Sequence, residues 1–289
     1  MTSEKLSAKL RAYWTLTKSL QTGLLLVTGL AGYSSARCPV MTWQVLLPLA
    51  ASLFIVISGS TVLNMVHDRD IDAIMKRTCM RPLPAGLVTP AEALLFAAGL
   101  CIAGLAWASA LSPLYALVVF AGLFFDVAIY TLLLKRRTAY AIIIGGLAGG
   151  MPVLAGRVLA TGRIDSIGLL LALAVVLWIP THIMTFSIRY AEDYARAAIP
   201  TFPSTYGVQT TRILISVSSV GAAVVVMAAA LLIGMSWGYM GFLALLGVGL
   251  LGLAVANIVR PSPRLNFGMF KYASLYMLSS MLLVVAGAI

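Results

Sequence analysis

The chain has little charge and few residues of the types that usually carry metal or redox chemistry. Of 289 residues, 10% are charged, nine are acidic, two are histidines and three are cysteines. The cysteines, Cys38, Cys79 and Cys101, have no CxxC spacing, so we expect three unpaired small residues and neither a metal nor a redox site. No linker or low-complexity segment separates soluble domains. We therefore expect a single domain over residues 1–289.

Apolar sequence is what the chain has in abundance. Hydrophobic residues make up 61% of it and the mean hydropathy is +1.00, more than a water-soluble fold of this size needs for its core. Runs of about 20 apolar residues recur at helical length, without the alternation typical of a membrane β-barrel. Because lipid offers no partners for backbone amides, the spans must be helical. The predicted fold class is all-α, a polytopic membrane protein.

Charge clusters and breaks at Gly, Pro or Ser divide the chain into about nine transmembrane helices. The predicted spans cover residues 17–36, 43–66, 91–110, 113–134, 139–160, 167–189, 210–233, 236–258 and 268–288. The basic amino-terminal segment is similar to a signal peptide. Because many further spans follow it, we interpret it as a retained first helix.

The basic residues predict the orientation in the cell membrane. Of the 20 lysines and arginines, 17 fall on one side of this division, and only Arg37, Arg157 and Arg163 fall on the other. An excess of basic residues marks the cytoplasmic side, so the amino terminus is expected inside and the carboxyl terminus outside. The net charge of +11 is explained in this way and does not predict nucleic acid binding.

Two acidic clusters follow the second and sixth predicted spans. The first contains Asp68, Asp70 and Asp72, and the second contains Glu192 and Asp193. Both lie at the cytoplasmic ends of their spans, four spans apart, and each precedes basic residues and a proline-containing loop. This pattern suggests two pseudo-repeated four-helix halves that face one cavity, with a ninth helix appended.

The first cluster has the spacing of a metal site. In a continuous helix, Asn64, Asp68 and Asp72 lie at i, i+4 and i+8 and share one face, whereas Asp70 points toward Arg69 or solvent. Three oxygen ligands without a nearby cysteine favour magnesium over zinc. Magnesium is usually shared with substrate phosphates. Glu192 and Asp193 could hold a second metal from the opposite half.

Cations surround these acids at the same membrane face. They are Lys76, Arg77, Arg81, Lys135, Arg136, Arg137 and Arg189. Carboxylates that hold a metal beside cations that hold oxyanions are what a diphosphate requires, and an apolar cavity next to them favours an isoprenoid diphosphate. The alternative interpretation is a solvated loop that only sets membrane orientation.

The stretch from Asn64 to Leu83 reads N-x-x-x-D-R-D-I-D-x-x-M-x-R-T-x-x-R-P-L. It resembles the first signature of the UbiA superfamily of intramembrane prenyltransferases, and within it the protoheme IX farnesyltransferase branch. Further matches, in order, are YTLLLKRRT (130–138), IGGLAGGMPVLAG (144–156), WIPTH (178–182) and IRYAEDYARAAIP (188–200).

The resemblance implies nine helices around a central cavity and Mg²⁺-assisted loss of diphosphate from farnesyl diphosphate. The allylic carbon would alkylate a vinyl group of haem B to give haem O, for maturation of respiratory terminal oxidases. It assigns Asn64, Asp68 and Asp72 to magnesium and diphosphate, with Asp193 as the acid of the second motif. By the same resemblance Lys76, Arg77, Arg81, Lys135 and Arg136 neutralise the diphosphate, and His182 contacts the haem. Partners would be membrane lipid and haem-handling or oxidase-assembly proteins.

The chain departs from the family's pattern where the acceptor should bind. Lys18-Ser19 replaces Lys-Pro, Tyr140-Ala141 replaces Trp-Asn, Pro180-Thr181-His182-Ile183 replaces Pro-Pro-His-Phe, and Asp126 stands where an aromatic residue is common. These changes affect the predicted acceptor region more than the predicted diphosphate region. The reaction type is therefore better supported than the acceptor.

Several single residues have two interpretations. An acid in lipid is costly, so Asp126 is expected to face the cavity and bind acceptor or act in catalysis, against a buried structural hydrogen bond. His67 could reach a phosphate or the haem edge, or sit at a helix interface. The aromatics Tyr130, Tyr190, Tyr194 and Phe186 could line the cavity or anchor the membrane interface. Gly145, Gly146, Gly149 and Gly150 indicate close helix packing.

Two other functions stay open from the sequence. The acceptor could be a quinone precursor, a chlorin or a glycerol phosphate lipid within the same enzyme class. A secondary transporter is the second alternative, although the acids cluster at one membrane face and not at the bilayer centre.

Overall fold

The computed structural model of the chain describes residues 3–36 and 42–287, which are helical with connecting turns and contain no strand. Its helices are α1 (Ser3–Leu16), α2 (Ser19–Ser34), α3 (Trp43–His67), α4 (Arg69–Ile74), α5 (Pro90–Leu111), α6 (Pro113–Phe124), α7 (Ala141–Thr161), α8 (Ser166–Arg189), α9 (Ala191–Arg196), α10 (Phe202–Tyr206), α11 (Val208–Ile233), α12 (Trp237–Val259) and α13 (Pro263–Ala286). A π-helical segment, Phe125–Leu134, continues α6. The predicted all-α class is confirmed.

Each of the nine predicted spans corresponds to a helical segment of the structure. Within the described ranges, eight helices are long and apolar enough to cross a membrane, counting α6 and its π-helical continuation as one, so this is a multi-pass membrane protein. The ninth, α2, has 16 residues and is about 24 Å long, which is shorter than a bilayer core of about 30 Å. The prediction of about nine spans thus becomes eight full-length helices and one short one.

Short local signals set the helix ends. Thr89 accepts a hydrogen bond from the backbone of Glu92, whose side chain accepts from the Thr89 backbone, and this capping box starts α5. Asp165 caps α8 through the backbone N–H of Gly168. At the end of α7, Gly162 has φ +69, a left-handed conformation in which glycine costs least.

Successive long helices run in alternating directions across the bundle, joined by turns or by longer loops that contain α4, α9 and α10. The loops 68–89, 135–140 and 190–207 therefore lie at one end of the bundle, together with the turn between α1 and α2. We call this the charged end, because it carries the two acidic clusters and most of the basic residues. The basic amino-terminal helix α1 packs there: Ala12 and Leu16 are buried with Val62 and Met65 of α3.

The backbones of helices α2 and α7 lie very close together at their glycines. A Cβ built on Gly32 would overlap the carbonyl oxygen of Val153, and one built on Gly156 would overlap the carbonyl oxygen of Gly29. Small residues allow such contact between membrane helices. The predicted glycines also pack closely, since a Cβ on Gly150 would lie 2.9 Å from the Ala172 carbonyl oxygen.

A buried ion pair closes the other end of the bundle. The Arg157 guanidinium, 6% exposed, donates to both Asp165 carboxylate oxygens, the nearest at 2.7 Å, and to the carbonyl oxygen of Ser35. It therefore ties α7 to the end of α2 and the start of α8. The sequence assigns Arg157 only to the outer side of the membrane and does not predict this pairing.

The prediction of unpaired cysteines is confirmed for two of the three. Cys79 and Cys101 are free thiols, the second of them buried against α3 near Gly59. Cys38 and Arg37 lie outside the described residues. The predicted pseudo-repeat of two four-helix halves stays a prediction.

Candidate active site

The helix that carries the first acidic cluster is interrupted. α3 ends at His67, Asp68 has φ −88 and ψ 2, and α4 starts at Arg69. The helix is therefore not continuous through the motif, so the shared face that a continuous helix would give Asn64, Asp68 and Asp72 does not follow from helix geometry alone. The turn at Asp68 keeps the i, i+4 hydrogen bonds, from Asp68 N to Asn64 O at 2.9 Å and from Asp72 N to Asp68 O at 2.8 Å.

Both buried acids of this cluster are paired with cations. Asp68 and Asp72 are each 4% exposed. Lys135 pairs with Asp68 Oδ2, and Arg81 donates to both oxygens of Asp72 at 2.7 and 2.9 Å. Asp68 Oδ1 is buried and has no hydrogen-bond partner among the described residues. This oxygen is available to a bound group.

Asp70, the middle acid of the cluster, points the other way. It is exposed and pairs with Arg136 through two hydrogen bonds of 2.7 and 2.8 Å, not with Arg69. These bonds lower the pKa of Asp70 to about 2, so the carboxylate stays ionised. Because Arg136 also donates to the His67 carbonyl oxygen at 2.7 Å, this predicted diphosphate ligand is held outside the central cavity.

The second acidic cluster packs against the first. In α9, Asp193 is 6% exposed, pairs with Arg196 and accepts from the backbone N–H of Lys76 at 3.4 Å. Although burial acts to raise the pKa of Asp193, these hydrogen bonds bring it below its ordinary value. Ile71 and Met75 pack with Ile199 in one apolar cluster. The two loops, far apart in the chain, therefore meet.

Other predicted ligands lie outside this contact. Glu192 is exposed, whereas its neighbour Asp193 is buried, so a metal-binding role for Glu192 stays a prediction. Lys76 is exposed and contributes its backbone amide. Arg77 and Arg189 lie over aromatic rings: Arg77 is 5.2 Å from the Tyr190 ring centre and Arg189 is 4.5 Å from that of Phe267.

A cavity of about 340 Å³ lies inside the bundle, lined by Lys18, Asn64 and Asp126, whereas Asp68, Asp72 and Asp193 are not among its described lining residues. Its walls come from α2, α3, α6, the π-helical segment, α7 and α8. Most of its lining is apolar, including Leu25, Val56, Val119 and Ile179. A volume of this size matches small-molecule pockets, and its apolar walls suit a hydrocarbon.

Asp126 lines this cavity and anchors a hydrogen-bond network. Ser60 and Asn64 both donate to Asp126 Oδ2, Asn64 at 2.9 Å, and Thr131 donates to Asn64 Oδ1. The network explains how an acid is held in a membrane span. Its placement agrees with the prediction that Asp126 faces the cavity, while a role in substrate binding stays a prediction.

Lys18 is a cavity residue that sequence reasoning counted only as a loop charge. It lies between α1 and α2 at φ 45, lines the cavity, and has no ion-pair partner among the described residues. Burial lowers the pKa of Lys18 to about 8, and repulsion by Arg81 and Lys135 adds to this effect. The sequence signal for this position is its match to the lysine of the family's Lys-Pro pair at the start of the first span, where this chain has Lys18-Ser19.

A ladder of aromatic side chains on α8 connects the cavity with the charged end. Trp178, His182, Phe186 and Tyr190 follow at intervals of four residues, with ring centres 5.1, 5.6 and 6.0 Å apart. Trp178 and His182 line the cavity. Their atoms Nε1 and Nδ1 are buried without a hydrogen-bond partner in the described structure, as expected of groups that face a ligand.

The predicted aromatics divide between these places. Tyr130 lines the cavity, with the Lys135 ammonium 5.7 Å from its ring centre. Phe186 and Tyr190 belong to the ladder, and Tyr194 packs in the contact of the two acidic loops. His67 does not line the cavity and faces a separate groove.

Among the described residues, the acidic side chains do not by themselves make a complete metal site. Within residues 3–36 and 42–287, no three His, Cys, Asp or Glu side chains form a ready metal cage. Magnesium, however, is commonly held by one or two carboxylates plus substrate phosphates. The unpartnered Asp68 Oδ1 with Asp72 and Asn64 nearby fits a shared ion of this kind.

Comparison with known proteins decides the family. The model of the UbiA prenyltransferase family matches residues 25–278. The chain belongs to the UbiA prenyltransferase family. It is therefore a prenyltransferase, and the family resemblance of its first motif is confirmed.

Named UbiA relatives share much of the sequence. Proteins named protoheme IX farnesyltransferase are 44% identical over 223 residues in Archaeoglobus fulgidus (77% of this chain, 78% of the relative), 41% over 271 residues in Aeropyrum pernix (92% and 88%), and 35% over 276 residues in Idiomarina loihiensis (92% and 90%).

Solved structures show the UbiA fold. A structure of digeranylgeranylglyceryl phosphate synthase has a TM-score of 0.80 at 20% identity, covering 97% of this chain and 98% of the other. A UbiA homologue from Archaeoglobus fulgidus bound to GPP and Mg²⁺ has a TM-score of 0.69 at 15% identity, covering 95% and 99%. At these identities the likeness concerns the fold alone.

Proposed function

We propose that this UbiA prenyltransferase transfers a farnesyl group from farnesyl diphosphate to a vinyl group of haem B, giving haem O, with Mg²⁺ as cofactor. Two features of the structure, taken together, give this proposal its main support. Buried Asp68 and Asp72, each paired with a cation, follow Asn64, which lines an apolar cavity, and Trp178 and His182, whose ring nitrogens lack partners in the described structure, line its wall.

The diphosphate is proposed to bind at the charged end. Lys18, Arg81 and Lys135 supply three cations there, close enough for Arg81 and Lys135 to lower the pKa of Lys18. Mg²⁺ held by Asn64, Asp68 and Asp72, with Asp193 from the second loop, would neutralise the phosphates and promote departure of the leaving group. A diphosphate would take over cations that now pair with the acids.

The chain's own residues would then guide the reaction. The allylic C–O bond breaks and its electron pair leaves with the diphosphate, stabilised by Lys18, Arg81 and Lys135. The ring face of Tyr130 can stabilise the allylic cation, and the apolar walls exclude water from it. The vinyl π electrons form the new C–C bond. Water then adds to the resulting haem-side cation and releases a proton, which gives the hydroxyethylfarnesyl group.

The haem is proposed to bind against the α8 ladder. Trp178 Nε1 can donate a hydrogen bond, and neutral His182 can donate or accept one at Nδ1. The flat ring systems of the ladder suit a flat macrocycle. The curated relatives named protoheme IX farnesyltransferase support this acceptor over a quinone precursor, a chlorin or a glycerol phosphate lipid.

We also propose that the charged end faces the cytoplasm of the cell membrane. The excess of basic residues on that side supports an amino terminus inside and a carboxyl terminus outside. Farnesyl diphosphate would reach the cavity from this side and haem B from lipid. Proteins that handle haem or assemble oxidases are the proposed recipients of the product.

A product assay tests the function. Purified full-length protein receives haem B, farnesyl diphosphate and Mg²⁺, and the haem fraction is examined by mass spectrometry for the farnesyl and water addition. Parallel reactions contain a quinone precursor or a glycerol phosphate lipid in place of haem B. Prenylation of one of those acceptors without any modified haem would refute the haem assignment while retaining the enzyme class.

A further inference from the structure

A second hollow lies beside α3, on a different face from the cavity. We call it the lateral groove; its volume is about 500 Å³. Its apolar walls are formed by Leu63, Val66, Leu94, Val127 and Leu132. Asn64 and Asp126 line the cavity, whereas their neighbours Leu63 and Val127 line the groove, so α3 and the π-helical segment separate the two hollows.

The walls of the lateral groove open toward lipid. Leu94 is 49% exposed and Leu132 is 51% exposed, and both belong to helices long and apolar enough to span the membrane. An apolar groove on this surface is solvated by acyl chains and not by water. Its walls therefore suit a hydrocarbon chain that lies along the protein.

The end of the groove is polar and carries excess positive charge. It contains Arg69, Arg136, Asp70 and His67. Arg136 is already paired with Asp70. Arg69 is exposed and has no ion-pair partner among the described residues. His67 Nε2 is buried and lacks a hydrogen-bond partner in the described structure. The end therefore has one cation and one ring nitrogen free for an oxyanion.

We propose that the lateral groove binds one anionic glycerophospholipid from the leaflet at the charged end, with its phosphate at Arg69 and His67 and an acyl chain along the apolar walls. A lipid satisfies both halves of the groove, whereas free phosphate would leave the walls empty. The headgroup should be anionic because Asp70, the one acid in the groove, is already paired with Arg136. A choline or ethanolamine group would find no free carboxylate there.

The lipid site adjoins the candidate active site from outside. Asp70 lies in α4 between Asp68 and Asp72, and Arg136 follows Lys135, the partner of Asp68. The same two segments thus present their inner sides to the diphosphate and their outer sides to the lipid. A lipid bound at the groove stabilises the arrangement of these segments.

Native mass spectrometry of the purified full chain tests the site without any activity measurement. The protein is released from micelles that contain phosphatidylglycerol or phosphatidylcholine, and the bound lipid is counted. Leu94→Trp fills the groove, and Leu95→Trp, on the exposed neighbouring position, is its matched control. Arg69→Gln removes the free cation, and Arg260→Gln removes an exposed cation between α12 and α13 at the same end.

One retained phosphatidylglycerol is expected, bound about fivefold more strongly than phosphatidylcholine, since one arginine near an anionic lipid contributes about 1 kcal/mol. Leu94→Trp should abolish this retention and Arg69→Gln should reduce it to the phosphatidylcholine level, while both controls retain the lipid. Equal retention of the two lipids, or unchanged retention in Leu94→Trp, would overturn the proposal. Complete displacement of the lipid by millimolar inorganic phosphate would assign the end to free phosphate instead.

Discussion

Lys135 pairs with one carboxylate oxygen of Asp68 and leaves the other, Oδ1, buried without a partner among the described residues. A buried polar atom without a partner is costly unless a bound group completes it. The pair is therefore what we expect in a site that binds a cation and an anion together. Asp68 would bind the cation, and Lys135 would move to the anion.

Asp68→Asn is expected to lower kcat/KM by at least about 100-fold, because the amide cannot supply the negative charge that holds Mg²⁺ and balances Lys135. The measurement is initial rate as a function of Mg²⁺ concentration. The Mg²⁺ concentration for half-maximal rate should rise in the variant. A thermal unfolding midpoint equal to that of the wild type provides the control for folding, and a wild-type rate in a well-folded variant would contradict the proposed role.

The second acidic loop offers a matched pair of neighbours. Asp193→Asn removes a buried charge that orders the contact with Lys76, so a loss of about tenfold or more in kcat/KM is expected. Glu192→Gln changes an exposed side chain and should stay within about twofold. Steady-state kinetics of both variants checks this difference. Equal losses in the two variants would show that Glu192 acts in the site after all.

Much of the fold could be predicted from the sequence because membrane helices are continuous apolar runs. The prediction of residues 113–134 as one span gives the same ends as the helix of the structure. The turn at Asp68 could not be predicted, since the motif permits a continuous helix. The pairing of Asp70 with Arg136 could not be predicted either, because it depends on how two loops far apart in the chain pack together.

The kind of site could be predicted from the sequence, but not every residue that belongs to it. Asp68, Asp72 and Asp193 are all buried, and Asp193 accepts from the Lys76 backbone of the first loop, while their action as one site stays a prediction. Lys18 was missed because a lysine before a membrane span ordinarily sets orientation. The structure shows that this lysine occupies a left-handed turn between α1 and α2 and lines the cavity.

Lys18 predicts a pH dependence for diphosphate binding. Its pKa of about 8 means that the empty protein loses this positive charge as the pH rises above 8. A bound diphosphate favours the protonated form, so KM for farnesyl diphosphate should rise by up to about tenfold between pH 7 and pH 9. Steady-state assays across this range measure the change.

Lys18→Arg is the matched control for this dependence. Arginine stays charged throughout the range, so the rise in KM that comes from the protein should disappear in the variant, and only the ionisation of the diphosphate itself remains. Lys18→Gln should show a raised KM at every pH. A wild-type rise in Lys18→Arg would exclude Lys18 as its source.

The contact between α2 and α7 predicts a difference in stability between two glycines of one helix. Gly32→Ala places a methyl group against the Val153 carbonyl, and the helices must separate, at a cost of about 1–3 kcal/mol. Gly23→Ala meets no atom within 4 Å and should be neutral or stabilising by up to about 1 kcal/mol. Thermal unfolding in one detergent compares the two, and equal midpoints would contradict the close packing.

His182 is expected to affect the acceptor and not the prenyl donor. It stands in the cavity wall between Trp178 and Phe270, with ring centres 5.1 and 5.2 Å away, and its Nδ1 has no partner in the described structure. His182→Gln keeps the approximate size but changes the hydrogen-bonding geometry. KM for haem B should rise by roughly tenfold, the value of one hydrogen bond lost in a dry site, while KM for farnesyl diphosphate stays unchanged. Absorbance titration with haem B, done without donor, separates binding from turnover. Because a purely structural role would disturb both substrates and the unfolding midpoint together, a parallel rise in both KM values would remove His182 from the acceptor site.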